Sequence, residues 1–195
     1  MKDLHNTFAE MASNEREGTD FTVECTNRAS NAVILAIHGG AIEEHTDKIA
    51  RHIAGQDLSY YLLVGTRPAG NQRHLHIASA RFDDPRAVAL VRDAQTVISI
   101  HGEESNTDAF VLLGGRDAAL RNRITQELQA RGFTTRDAPE HLAGLDPSNI
   151  CNRGLTGQGV QLEFSKVLRV RLAGDPIAMQ SFVEGMRAAL TYSGQ

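Results

Sequence analysis

The sequence predicts a three-layer α/β fold, in which an open, mixed but mostly parallel sheet lies between helices. Short apolar runs, such as 33–37 and 60–64, are typical of strands that are buried on both faces. They alternate with segments of helical periodicity, such as 46–54 and 116–130, and this alternation is typical of α/β domains. A chain of 195 residues with 41% hydrophobic side chains has the size and apolar content of one domain, so we predict a single domain over 1–195.

The remaining elements follow from the same patterns. Residues 1–20 form a polar, partly helical lead-in, and Asp84 before Pro85 predicts the start of a helix. The last predicted helix covers 176–190, and the Gly- and Pro-rich segment 137–159 is predicted to be a long irregular connection of the kind that often carries function. Further strands are predicted at 21–25, 75–78, 96–100, 110–113, 133–136 and 160–164.

Charge and hydropathy exclude several classes of protein. The net charge of -4 gives no sign of bulk attraction to nucleic acid or to anionic membranes. No segment has the 18 or so apolar residues of a membrane helix, and the N-terminus lacks the apolar core of a signal peptide. We therefore expect a cytoplasmic monomer, which cell lysis could release, with Cys25 and Cys151 as free thiols rather than a bridge.

Two predicted strands end in the same way. The run 33–37 leads into His38-Gly39, and the run 96–100 leads into His101-Gly102. If both strands are parallel neighbours, their imidazoles meet at the edge of the sheet where open α/β folds bind ligands. Glu43, five residues after His38, can fold back to the same point.

Two imidazoles and one carboxylate are a suitable set of zinc ligands. Three protein ligands leave a fourth position for water, which is typical of a catalytic zinc. We therefore predict a zinc site at His38, Glu43 and His101. A histidine after a strand is more often an ordinary loop residue, and spacing alone leaves other ligands open, namely Glu44, His45, Glu103 and Glu104.

A glutamate on the predicted strand 160–164 is a candidate general base. Apolar Val160, Leu162 and Phe164 alternate with polar residues, so Glu163 lies on the opposite face from the apolar side chains. A carboxylate so placed suits proton transfer from a zinc-activated water. A solvated strand face is the simpler interpretation of this stretch taken alone.

Arginines supply candidate groups for an anionic substrate. Asn152-Arg153 lies in a Gly-rich loop, and a guanidinium can hold a carboxylate through two parallel hydrogen bonds. Arg67 and Arg81 lie near the loop after the third predicted strand. We predict Arg153, Asn152, Arg67 and Arg81 as substrate-binding residues, although scattered surface arginines explain each one equally well.

Taken together, four short motifs resemble the poly-γ-glutamate hydrolase family of bacteriophages and their bacterial relatives, which is similar to zinc carboxypeptidases in its core. They occur in the family's order and span roughly residues 30 to 170. The family pattern has glycine where this chain has His45. The motifs are Ile37-His38-Gly39-Gly40-Ala41-Ile42-Glu43 with Thr46, Leu75-His76-Ile77-Ala78-Ser79 with Phe82-Asp83, Ile100-His101-Gly102, and Asn152-Arg153-Gly154 with Gly159-Val160-Gln161-Leu162-Glu163.

The resemblance implies a carboxypeptidase-like fold and a zinc-dependent hydrolase of the γ-glutamyl amide bonds of poly-γ-glutamate. It implies His38, Glu43 and His101 as zinc ligands, Glu163 as the catalytic glutamate and Arg153 as a holder of substrate carboxylates. Two other functions stay open. The first is a zinc hydrolase of cell-wall γ-glutamyl peptides or acyl amino acids, and the second is a metal-binding module without turnover.

Overall fold

A seven-stranded sheet forms the centre of the computed structural model, which describes residues 3–191. The strands are β1 (Phe21–Thr26), β2 (Ala32–Gly40), β3 (Ser59–Gly65), β4 (Thr96–Glu103), β5 (Val111–Gly114), β6 (Thr135–Asp137) and β7 (Val160–Ser165). Their order across the sheet is β1-β3-β2-β4-β7-β5-β6.

Most neighbouring strands run parallel. The pairs β2–β3, β2–β4, β4–β7 and β5–β6 are parallel, whereas β1 is antiparallel to β3 and β5 is antiparallel to β7. This arrangement confirms the predicted mixed, mostly parallel sheet. It also brings the carboxyl ends of β2, β4 and β7 side by side at one edge, where open α/β sheets bind ligands.

Helices cover both faces of the sheet. Alternate residues of each central strand pack into two separate apolar clusters, with Ile34 and Ile98 in one and Val33 and Val97 in the other. The first cluster includes residues of α2, α5, α6 and α7, and the second includes residues of α1, α3 and α4, so the three predicted layers are confirmed. The helices are α1 (Phe8–Asn14), α2 (Thr46–Ala54), α3 (Asn71–Leu75), α4 (Pro85–Arg92), α5 (Ala118–Ala130), α6 (Lys166–Gly174) and α7 (Pro176–Thr191).

Two elements differ from the sequence prediction. The strand predicted at 75–78 is wrong, because Leu75 ends α3 and a 3₁₀ turn follows at Ser79–Arg81. Leu75 and Ile77 are fully buried in the helical layer, which produces the same alternation as a strand. Helix α6 was not predicted, because it follows β7 without a turn. Ser165 ends the strand, and its hydroxyl caps the helix by accepting from the Leu168 N–H at 3.3 Å.

The other described segments agree with their sequence patterns. The lead-in contains α1, and Met1 and Lys2 lie outside the described residues. Both cysteines are free, with Cys25 exposed and Cys151 buried. Between residues 3 and 191, no helix has the length and apolar content needed to span a membrane.

Candidate metal centre and active site

His101 reaches the carboxyl edge of the sheet through the regular alternation of β4. It lies two residues after Ser99 and therefore on the same face. The parallel ladder between β4 and β7 pairs His101 with Glu163, so their side chains leave the sheet on that same face. The two groups predicted as ligand and base are thus neighbours across one strand pair.

His38 reaches the same face through an irregularity in β2. The register between β2 and β3 shifts after Ala36: the pairing of Ala36 with Leu62 is followed by that of Gly39 with Val64, so β2 contains one extra residue. A bulge of this kind re-aims a side chain, and bulges are frequent beside active sites. Before the bulge, the odd-numbered residues of β2 lie on the same face as the odd-numbered residues of β4, such as Ser99. The extra residue explains why His38, which is even-numbered, lies on the face that carries His101.

The two imidazoles and the Glu43 carboxylate converge. The Nδ1 atoms of His38 and His101 are 3.1 Å apart. Glu43 Oε1 lies 3.0 Å from His38 Nδ1, and Glu43 Oε2 lies 3.7 Å from His101 Nδ1. The turn after β2 brings Glu43 back: its N–H donates to the His38 carbonyl at 2.8 Å, and its Oε2 accepts from the Gly102 N–H at 2.7 Å.

The outer nitrogens of both rings have partners that orient them. His38 Nε2 lies 2.9 Å from the Ile77 carbonyl, which can only accept, so Nε2 carries the proton and a neutral His38 presents a lone pair at Nδ1. His101 Nε2 lies 2.8 Å from the Ser99 hydroxyl. Partners behind the ring are typical of metal-binding histidines, whose free nitrogen they aim at the ion.

This donor set fits a zinc ion. Ligand atoms about 2.0–2.1 Å from zinc, at tetrahedral angles, lie about 3.3 Å from each other. The observed separations of 3.0, 3.1 and 3.7 Å bracket that value. Two nitrogens and a carboxylate, directed at one another with their lone pairs, repel unless a proton or a metal cation lies among them.

The electrostatics of the centre follow from its burial. Burial lowers the pKa of His101 to about 3, so this ring is neutral at neutral pH. For Glu43, burial raises the pKa, but the neighbouring His38 imidazole outweighs burial and lowers it, so the carboxylate is ionised. Glu43 in turn outweighs the effect of burial on His38 and raises the pKa of that imidazole, so the pair attracts a positive charge, either a proton or a metal cation.

Glu163 lies beside this centre and is 5% exposed. Its Oε1 accepts from Gln161 Nε2 at 2.8 Å, which orients the carboxyl group. Burial, and secondarily the charge of Glu43, raise the pKa of Glu163 well above its usual range. A raised pKa makes a carboxylate a stronger base, as general-base chemistry requires.

His76 was not predicted as a site residue, although it lies in one of the four motifs. Its ring stacks on His38 with centroids 4.0 Å apart, and its Nδ1 lies 2.8 Å from Asp3 Oδ1. One ligand atom each of His38, Glu43 and His76 lies within 4.8 Å of the others, so His76 is a competing ligand. His101 Nδ1 lies 3.1 Å from His38 Nδ1 and 3.7 Å from Glu43 Oε2, whereas His76 Nε2 lies 3.9 Å from Glu43 Oε1. The alternation of Leu75 and Ile77 around His76 mimics a strand, which concealed this position.

Two of the predicted substrate-binding residues have other partners. The Arg67 guanidinium contacts Glu15 and lies 3.3 Å from Asp20, which anchors it to the lead-in. Asn152 is buried, and its Nδ2 donates to the carbonyls of Gly144 and Asp146 while its Oδ1 accepts from the Gly159 N–H. Both ends of the Asn152 amide are therefore bonded to the backbone within the irregular segment.

The other two arginines flank the 3₁₀ turn at Ser79–Arg81. Arg153 donates through Nη2 to the Phe82 carbonyl, and its buried Nε has no partner among the described residues. Arg81 has a half-exposed side chain and donates to Asp3, the residue that holds His76. Of the alternative ligands, Glu44 is exposed and Glu103 accepts from the Ser105 N–H.

The model of one family, described as poly-gamma-glutamate hydrolase, matches residues 5–177. The chain belongs to this family. Among curated proteins it is similar to UPF0714 proteins of Bacillus subtilis (strain 168). It is 36% identical to UPF0714 protein YndL over 89% of this chain and 68% of YndL. It is 35% identical to UPF0714 protein YmaC over 86% of this chain and 71% of YmaC.

Solved structures show the same fold. A bacteriophage poly-gamma-glutamate hydrolase superposes with a TM-score of 0.92 at 27% identity, covering 97% of each chain. YndL in an apo, zinc-free form superposes with a TM-score of 0.91 at 32% identity, covering 100% of each chain. A gene product of Agrobacterium tumefaciens, at a TM-score of 0.58 and 13% identity over 93% of this chain and 98% of that one, shares the fold alone.

Proposed function

We propose that the protein is a zinc-dependent hydrolase that cleaves γ-glutamyl amide bonds of poly-γ-glutamate. Family membership supports a hydrolase. One observation supports zinc binding and the mechanism: His38 Nδ1, His101 Nδ1 and the Glu43 carboxylate converge within 3.0–3.7 Å, beside the buried Glu163.

In this proposal His38, His101 and Glu43 hold the zinc ion. Zinc in such a site lowers the pKa of a water molecule towards neutrality and polarises a scissile carbonyl. Glu163 takes the proton from the attacking water as the C–O bond forms. It then gives that proton to the leaving nitrogen as the C–N bond breaks. Gln161 keeps the Glu163 carboxyl group in place through its amide at 2.8 Å.

The substrate class follows from family membership and from the two arginines beside the 3₁₀ turn. A γ-linked glutamate polymer carries one free α-carboxylate per residue, and a guanidinium can bind it through two hydrogen bonds. Arg153, with an unpartnered Nε, and the half-exposed Arg81 are the residues we assign to this contact. Arg67 has no part in it, because Glu15 and Asp20 bind its guanidinium.

The substitution Glu163→Gln tests the general base. The glutamine side chain has the same shape and can still accept from the Gln161 amide, so the fold and the metal ligands are kept. We expect zinc content to stay at the wild-type level and kcat to fall by about 10²–10⁴-fold. Metal analysis and steady-state kinetics on poly-γ-glutamate measure both quantities.

A matched control lies on α7. Glu184 is an exposed glutamate whose Oε1 also accepts from a glutamine amide, Gln180 Nε2, at 3.0 Å. Glu184→Gln makes the same chemical change far from the centre, and we expect wild-type activity. Full activity of Glu163→Gln with zinc bound would remove Glu163 from the mechanism.

Substrate comparison separates the remaining functions. Purified protein with zinc is incubated with poly-γ-glutamate, with peptidoglycan fragments and with N-acyl amino acids, and released amines are measured. The proposal expects poly-γ-glutamate to be the best substrate. Preference for either of the other two would shift the assignment within zinc hydrolases. Bound zinc without turnover of any of them would indicate a metal-binding module.

A further inference from the structure

Arg169 on α6 is a buried cation with an unusual set of partners. Its side chain is 3% exposed, and it binds three backbone carbonyls. Nε donates to Phe164 at 3.2 Å, Nη1 to Glu44 at 2.7 Å, and Nη2 to Glu103 at 3.3 Å. Within residues 3–191 the guanidinium forms no ion pair with a carboxylate.

The three carbonyls belong to three different strand ends. Phe164 directly follows Glu163 on β7, and Glu44 directly follows Glu43 in the turn after β2. Glu103 is the last residue of β4, two residues after His101. One planar guanidinium therefore links the backbone beside the base with the backbone beside two of the metal ligands.

Gly102 lets this linkage lie close to the metal centre. A Cβ at position 102 would lie 2.7 Å from Arg169 Cζ and 2.9 Å from Glu43 Cβ, so the absence of a side chain there allows both groups to pack against β4. The Gly102 N–H in turn donates to Glu43 Oε2 at 2.7 Å. Arg169, Gly102 and Glu43 thus form one packed unit.

Burying a charge without a counter-ion is costly, and carbonyl hydrogen bonds offset only part of that cost. An apolar side chain would fill the same volume without it. A rigid fork of five donors, however, can fix the spacing of several acceptors at once, which neither an apolar residue nor a lysine can do.

We infer that Arg169 is a positioning residue, which sets the distances among Glu43, His101 and Glu163 by holding the backbone at the ends of β2, β4 and β7. The inference rests on the proposed function, because those distances matter only if the three side chains act together. Arg169 itself touches neither the ligand atoms nor the carboxyl group of Glu163.

The experiment compares Arg169→Met and Arg169→Lys with the wild-type protein. Arg171→Met is the control, since Arg171 is an exposed arginine on the same helix, placed over the Phe133 ring. Three quantities are measured: zinc affinity by competition with a chelator, kcat and KM on poly-γ-glutamate, and the hydrogen-exchange rate of the Gly102 amide in zinc-free protein.

We expect Arg169→Met to weaken zinc binding by about 10–100-fold, as loss of groups that orient ligands does. We expect kcat to fall by up to about 10²-fold with little change in KM, because small misplacements of reacting groups have effects of that size. Gly102 exchange should accelerate at least about tenfold, as its bond to Glu43 opens more often. Arg171→Met should change none of these quantities.

Arg169→Lys separates charge from geometry and also serves if the Met variant does not fold. It keeps the positive charge but lacks the planar fork, so we expect changes in the same directions. Wild-type values in the lysine variant would overturn the inference. So would a raised KM with unchanged kcat and zinc affinity, which would indicate direct contact with a substrate anion. If the wild-type protein binds no zinc, the proposed function fails, while Gly102 exchange still tests Arg169.

Discussion

The ends of β2 and β4 look alike in sequence but reach the candidate metal centre in different ways. Both read as an apolar run followed by His-Gly, at His38-Gly39 and at His101-Gly102. On β4 the regular alternation of the strand places the imidazole on the correct face. On β2 the imidazole reaches that face only through the extra residue between Ala36 and Gly39. The same tripeptide, Ile-His-Gly, is thus compatible with a regular strand end and with a bulge.

The groups behind the two rings differ as well. A backbone carbonyl, that of Ile77, orients His38, whereas a side-chain hydroxyl, that of Ser99, lies behind His101. The glycines that follow also have separate roles. A Cβ at Gly39 would lie 2.6 Å from Asp47 Cβ and 2.9 Å from the Leu63 carbonyl, which belong to α2 and β3. A Cβ at Gly102 would instead meet Glu43 and the far end of Arg169. The β2 end is constrained by the scaffold, and the β4 end by the site itself.

The largest expected effect comes from removing either imidazole. His38→Ala and His101→Ala each remove a proposed ligand, so we expect both variants to lose stoichiometric zinc. Metal catalysis is worth several kcal/mol, so kcat/KM should fall by about 10³-fold or more. Metal analysis and kinetics measure this, with His52→Ala on the exposed side of α2 as the control. A variant at only one end that retains zinc and activity would show that the two ends are not equivalent ligands.

The two glycines distinguish a scaffold constraint from a site constraint. Gly39→Ala forces a methyl group against backbone, and we expect a loss of about 2–3 kcal/mol in the free energy of unfolding. Gly102→Ala meets side-chain atoms instead, Arg169 Cζ at 2.7 Å and Glu43 Cβ at 2.9 Å, so we expect a smaller loss of about 1 kcal/mol. Because it displaces Glu43 and Arg169, it should nevertheless weaken zinc binding about tenfold.

Urea denaturation of the zinc-free proteins and chelator competition measure these two quantities. A larger loss of stability in Gly102→Ala than in Gly39→Ala would contradict the assignment of the scaffold constraint to β2 and the site constraint to β4. Impaired zinc binding in Gly39→Ala without a loss of stability would contradict the same assignment.

The smallest effect concerns backbone strain in the turn after β2. His45 has φ of 74°, in the left-handed region that glycine adopts without strain. We expect His45→Gly to raise the free energy of unfolding by about 1 kcal/mol, as measured by urea denaturation. His52→Gly in the helical interior of α2 is the control and should lower it by about as much. Destabilisation by His45→Gly would show that the imidazole makes a compensating contact.

The local sequence pattern was sufficient to predict those elements that depend only on adjacent residues. The apolar run 33–37 and the largely apolar run 96–100 predicted β2 and β4, because strands buried on both faces are rich in apolar and β-branched residues. The pair Asp84-Pro85 predicted the start of α4, since a cap depends only on adjacent residues. The pattern at 75–78 gave a wrong prediction, because residues that pack against a helical layer can show the same alternation of buried and exposed side chains as a strand.

By itself, the sequence determined which buried runs lead into polar side chains and the four motifs that indicate the family. The bounds were less exact, because β2 and β4 each continue three residues beyond the predicted runs, to Gly40 and Glu103. Only the tertiary structure decided which of those side chains meet. The adjacency of β2, β4 and β7, the bulge that turns His38, and the Ile77 carbonyl behind its ring all depend on residues far apart in the chain. The sequence also left open which acceptors each arginine binds, because a guanidinium on a long side chain can pair with any acceptor that the fold brings within reach. Arg67 thus binds Glu15, and Arg169 joins three strand ends.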